Sequence, residues 1–144
     1  MATPAYFDTS VLVKQYVAEP GTAAAQPLLH RHRVVSSALA PVELTSALTR
    51  RRTERRLSVA QWERLIRNVR IDRAHWELLA VSDAVMARAE DVIRATRVRS
   101  LDALHIASAL LCSTLAGRAL PFITADARQR AAAATAGLDV VWVE

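Results

Sequence analysis

Short apolar runs alternate with helical patterns along the whole chain, and this alternation limits the fold more than any other property of the sequence. PAYFD, RVVSS, WELLAV, LPFITA and LDVVWV read as strands, the last as a final buried strand. Helical stretches stand between them. TSVLVKQYVAE is ended by Pro20 and Gly21, and Thr22 to His32 follows with Pro27 as a candidate kink. Ala40 to about Arg55 is opened by Pro41, and VAQWERLIRNVR is capped by Ser58. DAVMARAEDVIRATR is capped by Ser82 or Asp83, and LDALHIASALLCSTLAG by Ser100 with Gly117 closing it. DARQRAAAATAG stops at Gly137. Such an order predicts an α/β protein with a parallel sheet, helices on both faces and ligands beyond the carboxyl ends of the strands.

A length of 144 residues suits one domain spanning 1–144. The 52% hydrophobic content, abundant alanine and only three glycines argue against a disordered, collagen-like or disulfide-built chain. Met1-Ala2-Thr3-Pro4 has no basic character and the first apolar run is broken by Asp8 and Lys14, so no export signal is expected and the expected location is cytoplasmic. Leu101 to Ala116 is interrupted by Asp102 and His105 and is short for a membrane span. Cys112, the single cysteine, reads as a small core residue. The net charge of +5 and pI near 10.6 suggest a polyanionic partner, although eighteen arginines solvating helix faces account for the charge equally well.

Against this basic background, four acids interrupt apolar sequence: Asp8 in AYFDTSVLVK, Glu43 in PVELTSALT, Asp102 in RSLDALHIASALL and Asp126 in FITADARQR. Asp8 and Asp126 fall at the carboxyl ends of strands, Glu43 and Asp102 in first turns of helices. An unpaired carboxylate is disfavoured away from water, and Lys14 is the only lysine, so a divalent cation is the more natural counter-charge. Hard cations such as Mg²⁺ and Mn²⁺ select oxygen ligands, whereas His30, His32, His75, His105 and Cys112 show no zinc-like spacing. On a phosphodiester such an ion polarises the phosphoryl group and activates water, and a basic surface holds the backbone. Taken singly, each acid has a plainer role: Asp8 and Asp126 as N-caps, Glu43 and Asp102 as first-turn acids complementing a helix dipole. The coincidence of four favours a shared site.

In their order and spacing, FDTSVLVK, VELTSAL, LDALHIASAL and the strand ending ITAD resemble the PIN-domain ribonucleases, most closely the VapC-type toxins of bacterial type II toxin–antitoxin systems. The likeness covers nearly the whole chain. It implies a PIN-like three-layer α/β/α fold with a central, mainly parallel sheet of about five strands. It also implies that Asp8, Glu43, Asp102 and Asp126 form an acidic pocket for Mg²⁺ or Mn²⁺. Asp8 and Asp102 would be its chief ligands, with Glu43 and Asp126 completing it directly or through water and Ser10 and Thr124 orienting it. The implied substrate is single-stranded or loop RNA, cut by a metal-activated water. The implied partners are a VapB-like antitoxin and a second copy of the chain.

Arg97 and Arg99 immediately precede the turn carrying Asp102 and are candidate contacts to an RNA backbone. Arg50, Arg51, Arg52, Arg55 and Arg56 make a basic helix end whose default role is solvation. His105, one turn after Asp102, reads as a satisfied helix histidine outside the site, with support of the site's ligands or proton transfer as the alternative, and Trp62 with Leu65, Ile66 and Val69 reads as core or dimer contact. Two other functions compete. One is a phosphohydrolase or phospho-acceptor domain using Asp8 of FDTS, which lacks a second Asp at position 10 and a suitable lysine. The other is an RNA- or protein-binding module that does no cleavage.

Overall fold

β1 (Thr3–Phe7) shows why the strands are continuous apolar runs. Successive side chains point to opposite faces, so Ala5 and Phe7 enter one core while Tyr6 enters another. Val34 and Val35 of β2 (His32–Ser37) divide in the same way, as do Ile123 and Phe122 of β4 (Pro121–Thr124). A strand covered on both faces has no side left for water. The computed structural model describes residues 2–54 and 56–144. Met1 and Arg55 lie outside the described residues, and with them the predicted helix end at Arg55 and its place in the basic cluster.

With β3 (Glu77–Leu79) and β5 (Asp139–Trp142), these strands form one sheet in the order β3-β2-β1-β4-β5, every neighbouring pair parallel. The core containing Phe7 is covered by α1 (Thr9–Leu12), α2 (Thr22–Arg31), α3 (Ala40–Thr53) and α4 (Val59–Arg73). The core containing Tyr6 is covered by α5 (Asp83–Thr96), α6 (Ser100–Ala116) and α7 (Ala127–Thr135). The expected three-layer α/β/α arrangement is thus observed. The chain runs outward from β1 through β2 to β3, then returns past β1 to lay down β4 and β5. Its direction across the sheet reverses between β1 and β4, where crossovers diverge and leave a crevice at the carboxyl ends.

Several expected boundaries shift for local reasons. The helix expected over TSVLVKQYVAE is only α1 plus a 3₁₀ turn at Val13–Gln15, because Lys14 is buried and its ammonium draws the chain back by bonding Glu19 (2.9 Å) and the Pro20 carbonyl (2.7 Å). Gly21 completes that reversal at φ 89°, and an added Cβ would stand 3.1 Å from Lys14 Cε. Helix α2 passes through Pro27 without ending. Ser58 forms the expected cap, reinforced by Gln61, and Ser82 rather than Asp83 caps α5. Ser100, expected as a cap, is instead the first residue of α6. The extended backbone of Arg99 supplies the N-cap position, and no side chain caps it. β5 is a half-buried edge strand rather than a buried one, since among the described residues β4 is its only neighbour. Trp62 packs against the core of α3 and α4, with Arg52 over its ring, and Cys112 is buried as expected. Among the described residues, no helix is long and apolar enough to cross a membrane.

Leu44 is fully buried on α3, whereas Ile71 on α4 is 64% exposed. Leu44→Ala is expected to lower the unfolding free energy in urea by about 2–5 kcal/mol, and Ile71→Ala by no more than about 0.5 kcal/mol.

Candidate acidic active site

The pairing of Phe7 with Ile123 carries the chain directly to Asp8, whose N–H donates to the Ile123 carbonyl at 3.2 Å. Asp8 occupies the N-cap position of α1, yet its carboxylate caps nothing. It accepts instead from two hydroxyls. Ser10 Oγ takes the Ala125 N–H (3.0 Å) and donates to Asp8 Oδ1 (2.5 Å), while Thr124 Oγ1 takes the Asp126 N–H (3.0 Å) and donates to Oδ2 (2.6 Å). Backbone donors therefore set the direction of both hydroxyl protons and polarise them toward the carboxylate. Burial still dominates: Asp8 is 1% exposed, and desolvation pushes its carboxyl up to about 6 despite the opposing His105 and the two hydroxyls. Lys14, tied to Glu19 and Pro20, does not offset it.

Asp126 follows β4 and caps α7 through Oδ1, which accepts from the N–H groups of Arg128 (2.8 Å) and Gln129 (3.2 Å). Its charge acts on both other aspartates, raising Asp8 and Asp102. Asp102, half-buried in the first turn of α6, is raised first by burial and then by Asp126, and is drawn down by Arg99, His105 and Arg128. Among the described residues, nothing hydrogen-bonds its carboxylate. Arg99 and Arg128, together with Arg97, line one groove that also includes Thr96 and Thr135. Arg97 turns the chain there in the left-handed region at φ 63°, unusual for a residue with a side chain.

Glu43 enters from α3, on the other side of the sheet. Its Oε1 accepts from Thr9 Oγ1 (2.8 Å) and His105 Nε2 (2.6 Å). Burial alone would raise Glu43, but the His105 hydrogen bond and charge and the Thr9 hydroxyl outweigh it, so its carboxyl lies below the usual range. A carboxylate only accepts, which places a proton on Nε2. Nδ1 then faces the Tyr6 hydroxyl at 2.8 Å. Burial holds that phenol well above its ordinary range, so it stays a donor. His105 is thus a satisfied helix histidine, as the sequence suggests, but one that engages a predicted site residue rather than standing apart from it.

The four acids gather at one end of the sheet without closing into a cage: among the described residues, no group of three His, Cys, Asp or Glu side chains is placed to hold a metal ion. The physical reason is visible in their partners. Glu43 is anchored to His105, and Asp126 spends an oxygen on a helix cap. The donor chemistry nevertheless fits a hard divalent cation. All available donors are oxygens, Asp8 is buried within the field of the Asp126 carboxylate, and Mg²⁺ commonly uses one or two carboxylates with water and substrate phosphate. Zinc-type ligation has no support, because both His105 nitrogens are engaged and burial holds the Cys112 thiol up at about 11.

A model of the PIN domain matches residues 5–135. The chain belongs to the PIN domain family. Solved structures agree on the fold. A toxin–antitoxin complex from Klebsiella pneumoniae superposes with TM-score 0.69 at 16% identity, covering 95% of each chain. A member of the VapBC family of toxin–antitoxin systems, VapBC-5 from Mycobacterium tuberculosis, gives 0.58 at 22% identity over 99% of this chain and 98% of that one. A protein of Pyrobaculum aerophilum gives 0.56 at 20% identity over 92% and 86%. No curated protein matches the chain.

Within this PIN domain, sequence reasoning passed over Tyr6, Thr9 and Arg128 and set His105 outside the site. The available signals were the adjacency of Thr9 to Asp8, the one-turn spacing of His105 from Asp102, and Arg128 two residues after Asp126. The raised Asp8 carboxyl makes stability fall with rising pH. Its contribution is fully present below about 3.8 and is lost as the pH passes 6, a loss of about 3 kcal/mol. Asp8→Asn is therefore expected to melt higher than the wild type at pH 7.5 in EDTA, and the gap to shrink toward pH 4. Equal gaps at both pH values would refute the assignment.

Proposed function

We propose that this PIN domain is a Mg²⁺- or Mn²⁺-dependent endoribonuclease, the toxin of a VapBC-type toxin–antitoxin pair. The observation that carries the reading is Asp8: a buried carboxylate gripped by two hydroxyls, under the charge of Asp126 and offset by no lysine. Asp8 and Asp102 would hold the ion as principal ligands, with the free oxygens of Asp126 and Glu43 reaching it directly or through water. When bound, the ion supplies Lewis-acid polarisation of the phosphodiester and a more acidic attacking water. Ser10 and Thr124 keep the Asp8 oxygens oriented, and Arg97, Arg99 and Arg128 hold the strand in the adjacent groove.

The rest of the reading draws on the toxin–antitoxin proteins whose fold this chain shares. A VapB-like antitoxin would restrain the activity, a homodimer would be the working form, and the location would be cytoplasmic. Competing phospho-acceptor chemistry loses ground because Lys14 is committed to Glu19 and Pro20.

End-labelled RNA incubated with the purified protein is expected to be cut with Mg²⁺ or Mn²⁺ and left intact in EDTA. Outer-shell partners of a metal are worth about 10–100-fold, so Asp8→Asn and Asp102→Asn should each slow cleavage by about 100-fold or more. RNA that is bound but never shortened, with or without metal, would favour the non-cleaving alternative. Changing Arg97, Arg99 and Arg128 together to Ala is expected to weaken RNA binding and flatten its dependence on log salt by about 0.7 for each phosphate that is no longer neutralised. An unchanged slope would remove these three from the RNA path.

A further inference from the structure

We propose that His105 is a positioning residue for Glu43, aiming one oxygen of that carboxylate into the acidic pocket by holding the other. The inference rests on the metal-nuclease reading above. Glu43 is a long side chain in the first turn of α3, free to swing unless something fixes it. Two donors do so, and both take the same oxygen: Thr9 Oγ1 at 2.8 Å and His105 Nε2 at 2.6 Å from Oε1. Among the described residues, Oε2 has no hydrogen-bond partner, so it is the oxygen left for an ion, a water or a substrate.

His105 is built to hold this position. It belongs to α6, in the layer opposite the one that carries Glu43, and so bridges the two layers at the carboxyl end of the sheet. It is 1% exposed, with the Tyr6 hydroxyl at 2.8 Å from Nδ1 and the Tyr6 ring packed against it edge-on at 5.9 Å. With Nδ1 paired to Tyr6, Nε2–H is directed at Glu43, the kind of hydrogen bond by which ligating carboxylates are oriented from the outer shell. With both nitrogens engaged, His105 has no lone pair of its own to offer a metal. Its influence must therefore pass through Glu43.

The test uses the full chain, with Mn²⁺ affinity by titration calorimetry and RNA cleavage kinetics as separate readouts. His105→Gln carries an amide N–H to about the place of Nε2, whereas the shorter His105→Asn stops near Nδ1 and cannot reach Glu43. His105→Asn is expected to lose about 10–100-fold in Mn²⁺ affinity or kcat with little change in the KM for RNA, and His105→Gln to recover most of that loss. In a Glu43→Ala background, His105→Asn is expected to add less than about twofold, because its target is gone. A loss that persists in full in that background overturns the inference, as does an Asn variant equal to the wild type. Should His105→Asn fail to fold, Tyr6→Phe, which keeps the ring and frees Nδ1, is run through the same cycle with the same criterion. A wild type that neither binds Mn²⁺ nor cuts RNA removes the nuclease reading and this inference together, whereas an additive cycle in an active protein removes the inference alone.

Discussion

The hydrogen-bonded pairing of β1 with β4 governs everything at the acidic end of the molecule. Their partners Phe7 and Ile123 are more than a hundred residues apart in sequence, yet this register delivers Asp8 to within 2.6 Å of Thr124 Oγ1. The two hydroxyl relays each need residues from both strand ends: Ser10 borrows the Ala125 N–H, and Thr124 serves Asp8. A slip of β1 by one residue would exchange the faces of Phe7 and Tyr6 and carry Asp8 away from its donors. Because the same alternation that packs two cores also sets the register, the hydrophobic pattern protects the geometry of the polar site.

The sequence was most legible where one physical rule acted alone. Strand–helix alternation, the Ser58 cap and the Gly117 and Gly137 stops all follow from local periodicity or backbone freedom, and all stand in the structure. Boundaries moved where a distant contact overrode local preference. Lys14 shortened α1 by folding back onto Glu19, which itself also meets Arg51, and no helical period contains that information. The acidic residues were visible as charges misplaced in apolar sequence, and of the capping roles weighed for them that of Asp126 stands while that of Asp8 does not. His105 was hidden for the converse reason. A histidine in an apolar helix looks like core, and this one is core on the Tyr6 side and site on the Glu43 side.

Charge is distributed with opposite logic inside and outside the crevice. The chain as a whole carries +5, and arginines 97, 99 and 128 line a groove beside the aspartates, while no lysine enters it. Arg99 and Arg128 lower the Asp102 carboxyl but do not reverse the combined effect of burial and Asp126. For Asp8 the same ordering holds, with desolvation outweighing two short hydroxyl bonds and His105. The fold therefore tolerates a destabilised carboxylate at its centre, which two well-filled cores can offset.

The four acids differ in how far the protein has already committed their oxygens, and that gradation is itself informative. Asp8 is held at both oxygens, Glu43 and Asp126 at one each, and Asp102 at neither. Rigid anchors cost no ordering when a ligand arrives, whereas a free side chain can adjust to the ligand's size and geometry. Asp8 is thus fixed in advance, while Asp102, raised by burial and by Asp126, keeps both oxygens uncommitted among the described residues. Burial and the charge of Asp126 raise both Asp8 and Asp102, so positive charge brought to this end of the sheet would lower both.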